Sequence, residues 1–112
     1  MPAALNNFKT TLANLTTTTS TVYTPPIGYT TVILLAQVSN TGANTVAVSA
    51  QINRSSANTV LIKSAPIPSN DAIGVLTGRL ILEPGDNLQF GANANSTAQL
   101  TLSYLETLIT GN

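Results

Sequence analysis

Along most of this chain apolar and polar residues take turns. In residues 44–53 the apolar set is Val46, Val48, Ala50 and Ile52, with Thr45, Ser49, Gln51 and Asn53 between them. TVLIKSA (59–65) puts Val60 and Ile62 inward and Lys63 outward. NLQFGAN (87–93) turns Leu88, Phe90 and Ala92 inward, and residues 98–108 do the same with Ala98, Leu100, Leu102 and Tyr104. A period of two marks a half-buried strand, whereas a helix repeats at 3.6. TTVILLAQVSN (30–40) is the strongest strand of all. Val32, Leu34, Ala36 and Val38 make one face, and Ile33 and Leu35 stand on the other. Apolar residues on both faces predict a central strand with a second covered surface, either a second layer or a subunit contact.

Turn formers separate these segments. Pro25-Pro26 cannot sit inside a ladder, so the Thr-rich strand before it must end there. TGA (41–43), RSSAN (54–58) and PIPSND (66–71) follow. AIGVLTG (72–78) reads as a short or bulged strand and RLIL (79–82) as another. In EPGD (83–86), Pro84 presets the first central turn position and Gly85 supplies the positive φ of the second. The sum is seven to nine short strands with turns about every ten residues, which predicts an all-β antiparallel sandwich, jelly-roll-like or immunoglobulin-like.

Residues 1–15 stand apart from the sandwich of residues 16–109. Leu5, Phe8, Leu12 and Leu15 recur at spacings of three and four, as on a helix face. A helix this short is marginal, so an extended arm or edge strand, docked on this domain or a neighbour, is the preferred reading.

Composition narrows the function more than the fold. The 112 residues hold no Cys and no His. Disulfides and thiolate metal sites are thereby excluded, along with the usual neutral-pH general base. Four cations and four anions leave a formal net charge of zero. The charged fraction is 7%, against about 25% in ordinary soluble domains. So few cations speak against a nucleic-acid partner, and no apolar run approaches the length of a membrane span. MPAALNNFK lacks the basic and apolar regions of a signal peptide, so export by a standard N-terminal signal is not expected.

No catalytic residue, cofactor site or metal site emerges. Glu83 and Asp86 are expected to splay into water, with Arg79 and Asp71 nearby. SND (69–71) and EPGD are the only stretches worth weighing as a calcium site, and both are weak. Tyr23 and Tyr29, flanking the double proline, are the aromatic pair for a glycan platform or an intersubunit contact.

Four segments together carry a resemblance: VYTPPIGYTTVILLAQVSNTGANTVAVSAQI (22–52), LIKSAPIPSND (61–71), GRLILEPGDNLQF (78–90) and LTLSYLE (100–106). In that order and spacing the chain resembles small β-sandwich structural proteins of tailed bacteriophages, notably those infecting cyanobacteria. NNFKTTLANLTTTT resembles their usual start, while Pro25-Pro26-Ile27-Gly28 stands where they usually carry a single proline. The resemblance implies a non-enzymatic virion component, assembled in the host cytoplasm. The resemblance leaves the place among capsid surface, neck and tail open; capsid decoration or cement is the expected role, with a neck or tail component as one alternative and a glycan-binding adsorption module built on Tyr23 and Tyr29 as another. The partners expected are further copies, as a trimer or larger oligomer, and the major capsid protein or tail and neck proteins. The expected contact residues are Leu5, Phe8, Leu12, Tyr23, Tyr29, Ile33 and Leu35, with Pro84 and Gly85 structural.

Overall fold

A computed structural model describes residues 6–76 and 79–109. Nine strands form: β1 (Asn6–Asn14), β2 (Ser20–Tyr23), β3 (Tyr29–Asn40), β4 (Val46–Arg54), β5 (Ala57–Ile67), β6 (Ala72–Gly74), β7 (Leu80–Leu82), β8 (Asn87–Ala92) and β9 (Ala98–Leu108). The predicted all-β sandwich is what the chain adopts. One sheet, A, runs β1-β9-β3, with β6 and β7 both on the far side of β3; the other, B, runs β2-β8-β4-β5. Every pairing is antiparallel.

The pairing is nested. First strand meets last (β1–β9), second meets second last (β2–β8), β3 meets β6 and β7, and β4 and β5 close the set as a hairpin. This hairpin folded over on itself is a jelly roll. In the immunoglobulin arrangement the first two strands share a sheet; here β1 and β2 lie in different ones.

The alternating strands drive the closure. Val48, Leu88 and Phe90 of sheet B face Val38, Leu100 and Leu102 of sheet A, all essentially inaccessible to water. Burying side chains of this size contributes about 1.5–3 kcal/mol each relative to exposure. Ile67 and Leu82 belong to the same core.

Two local features depart from strict alternation. In β3 the register against β9 shifts between Ile33 and Leu35, so Leu34 is an extra residue. The bulge reverses the parity of the strand's first half: Thr31 and Ile33 face inward together with Ala36 and Val38, while Leu34 and Leu35 both face out. In β5 two register shifts against β4 leave Val60 exposed instead of inward. Between these strands the predicted loop is a two-residue hairpin, Ser55-Ser56, with φ of 52° and 67°. Both values suit the turn whose twist matches the flanking strands.

Residues 6–14 are neither helix nor free arm. They pair along their whole length with β9, from Asn6 opposite Thr107 to Asn14 opposite Gln99.

Candidate interaction surface

The outer side of sheet A is built from the strand register. Residues directly opposite one another in an antiparallel pair share a face. Phe8 lies opposite Leu105, Leu105 opposite Val32, and Val32 opposite Ile81. An apolar row thus crosses the whole outer side of the sheet. Phe8 is 76% exposed and Ile81 51%, with Leu105 and Val32 half-buried between them. Leu12, 74% exposed, and the bulge pair Leu34 and Leu35, each 42% exposed, widen the row. The remaining outward strand positions are Asn, Gln, Ser, Thr, Ala and Gly, such as Thr10, Thr101, Ser103 and Gln37; none is ionisable. With strands about 4.8 Å apart and about 3.4 Å per residue, the sheet presents a face of roughly 600 Å².

Strand β1 has its apolar side outward. Its inward positions are Asn7, Lys9, Thr11 and Ala13, and its outward ones include Phe8 and Leu12. Polar bonds hold it to the sandwich. Lys9 Nζ lies 3.0 Å from the buried Glu106 Oε1, and the pair raises the Lys9 pKa. Tyr23 donates its phenol proton to Glu106 Oε2 at 2.7 Å and lies 2.7 Å from Thr31 Oγ1. Thr11 bonds the Tyr104 hydroxyl at 2.8 Å, and the Tyr23 and Tyr104 rings pack 4.3 Å apart. Burial, the largest cause, pushes the Tyr23 phenol well above its ordinary range.

At the EPGD turn Gly85 has φ +91° and the Asp86 amide donates to the Glu83 carbonyl at 3.0 Å, as the sequence predicts. Asp86 itself does not splay into water; it is 1% exposed. Its Oδ2 accepts the Glu83 amide at 2.8 Å, and both oxygens engage Arg54. That guanidinium, the first cause, holds the Asp86 carboxyl below its usual range. With both oxygens so occupied, the carboxylate is not presented to a cation. Among the described residues no three His, Cys, Asp or Glu side chains gather as metal ligands.

The expected contact residues divide. Phe8, Leu12 and Leu35 come together on the outer side of sheet A. Tyr23 and Ile33 do not: Tyr23 is turned inward by its bonds to Glu106 and Thr31, and Ile33 is placed in the core by the bulge at Leu34. Tyr29 is half-buried at the start of β3. A glycan platform built on Tyr23 and Tyr29 is therefore lost. Leu5 lies outside the described residues. Leu105 and Ile81 were missed, although Leu105 breaks an otherwise polar outward series in β9 (Gln99, Thr101, Ser103) and was visible as such.

No protein-family model and no curated protein matches the chain. Among solved structures it is similar to a Bacillus endospore appendage from a family of disulfide-linked pili. The TM-score there is 0.57 at 7% identity, covering 94% of this chain and 88% of that one. It is also similar to the nucleoplasmin-like N-terminal domain of Drosophila FKBP39, with a TM-score of 0.52 at 13% identity and 100% of both chains covered. At such identities the likeness is one of fold, and the fold is a compact two-sheet β-sandwich.

Proposed function

We propose that this chain is a non-enzymatic structural protein of a bacteriophage virion, a decoration or cement protein that sits on the capsid as a homo-oligomer. The observation that carries the reading is the outer side of sheet A: broad, free of ionisable strand positions and crossed by the row Phe8, Leu105, Val32 and Ile81. A contiguous apolar patch of this kind marks a contact surface. A face of roughly 600 Å² approaches the ~800 Å² per partner of a stable interface. The bacteriophage address comes from the resemblance carried by residues 22–52, 61–71, 78–90 and 100–106. The chain holds no Cys, so its attachment does not use the disulfide linkage named for the pili that share the fold.

The test is co-sedimentation of the purified chain with phage particles stripped of it. Wild type is expected to pellet with capsids, and the Phe8→Asp, Ile81→Asp double variant to remain in the supernatant with its circular dichroism unchanged. Binding to tails alone would move the address to neck or tail. Wild type that binds no part of the particle, or a double variant that binds as well as wild type, would contradict the proposal.

A further inference from the structure

The two sheets have four edges, and three are blunted by the devices that keep strands from pairing with strangers. Edge β2 is four residues long, shifts register between Thr21 and Tyr23, and runs towards Pro25 and Pro26. Edge β5 carries Lys63 and Pro66 and two register shifts. The edge opposite β1 in sheet A is divided into β6 and β7, of three residues each. Edge β1 is different. It is nine residues long, pairs with β9 without a register shift, contains no proline, and has no strand on its other side among the described residues. Its one charge, Lys9, lies on the inward side of the strand, half-exposed, and is paired with Glu106.

We propose that β1 pairs antiparallel with β1 of a second copy of this chain, about a two-fold axis at Thr10, joining two A sheets into one continuous sheet. The outward residues of β1 read Asn6, Phe8, Thr10, Leu12, Asn14, which is a palindrome in chemical class. Centred on Thr10, the register sets Asn against Asn, Phe8 against Leu12, and Thr10 against Thr10. Every cross-strand pair on that side is then matched, and matched pairs are the unit of sheet stabilisation. An antiparallel pairing displaced by two residues sets Phe8 or Leu12 against Thr or Asn, and an in-register parallel pairing matches like with like but does not relate the copies by a two-fold axis. Neutrality of the outward side removes the like-charge opposition that usually bars a strand from its own copy. Identical surfaces meeting about a two-fold give a closed dimer, so higher oligomers are assemblies of such pairs. The pairing deepens the structural role proposed above and rests on it for its purpose: two outer faces lie side by side, and the row from Ile81 to Phe8 continues into Leu12 of the partner copy.

The test needs no phage particle, which separates its failure from that of the virion assignment. Sedimentation velocity at micromolar concentration is expected to give twice the 11.6 kDa chain mass, and Thr10→Lys, which opposes two lysines at an exposed position, to return it to the monomer. The absence of Cys makes single-cysteine variants clean probes of register. Directly opposed Cβ atoms lie about 4.5–5.5 Å apart, within a small shift of disulfide geometry. Thr10→Cys is expected to form a covalent dimer on mild oxidation. Phe8→Cys and Leu12→Cys are expected to cross-link when mixed and not when alone, and Ser56→Cys, in the distant β4–β5 turn, to stay monomeric. A monomeric wild type, a trimer, or cross-linking at Thr10 no greater than at Ser56 would overturn the proposal.

Discussion

Arg54 and Asp86, 32 residues apart in the chain, meet through two parallel hydrogen bonds of 2.6 and 2.7 Å. The contact ties the end of β4 to the turn before β8, while Asp86 closes that turn on the Glu83 amide. The charges gathered at EPGD therefore fix the turn that carries the chain from β7 in sheet A to β8 in sheet B. Asp86→Ala leaves a turn amide without its acceptor and removes a charge-assisted bond; its cost is about 2–3 kcal/mol by urea denaturation. Glu83, 3.8 Å from Arg54 and largely exposed, is an ordinary surface site, and Glu83→Gln changes stability by less than ~0.5 kcal/mol. Because the folded state lowers the Asp86 pKa, its contribution is complete above the unfolded value of about 3.9 and is lost as pH falls through the folded one. Acid titration of Asp86→Asn should lack that component.

Gly85 has φ +91° with open space where a Cβ would stand. Gly85→Val therefore costs about 1–3 kcal/mol through backbone strain, with no contact at the added Cβ. Gly85→Asn costs less, because Asn tolerates positive φ. A Val variant within ~0.5 kcal/mol of wild type in a chemical melt contradicts the turn assignment.

Ser55 and Ser56 both hold positive φ without being glycine. Replacing them with Asn-Gly, the preferred pair for this hairpin, should stabilise the protein by about 0.5–1 kcal/mol. An increase in thermal midpoint with no change in secondary structure checks it.

Tyr23 and Lys9 meet at the same buried carboxylate. Tyr23→Phe deprives Glu106 and Thr31 of a partner at once and should cost about 1–3 kcal/mol. Both pKa values are raised in the folded state, so the stability they confer is present below about pH 10 and lost as pH rises beyond it. Alkaline unfolding of the Lys9→Met, Tyr23→Phe double variant should be less steep in pH than that of wild type.

The regular strands were legible because polar residues marked their parity. β4, β8 and β9 each alternate with Thr, Ser, Gln or Asn between apolar residues, and their inward sets are nearly as read. VILLA in β3 carries no such marker: five apolar residues in a row fit either parity, so the bulge at Leu34 was invisible and Ile33 was assigned to the wrong face. Phe8 and Leu12 are four apart, a spacing that shares a face in a helix and in a strand alike, and so permitted both readings of residues 1–15. The Arg54–Asp86 pair was missed for a different reason. Local spacing pointed to Arg79, and only the β4–β8 pairing brings Arg54 to the turn. Glu106, the buried anchor of β1, looked like any surface acid at a strand end; its inward parity with Leu100, Leu102 and Tyr104 was the available signal.

A high-resolution map of an intact phage particle decides whether the chain has the proposed virion role. This sandwich is expected on the particle, with Phe8, Leu35 and Ile81 on the outer side of sheet A packed against a neighbouring virion protein. A particle without the chain, or one in which that side faces open solvent while another surface makes the contact, would contradict it.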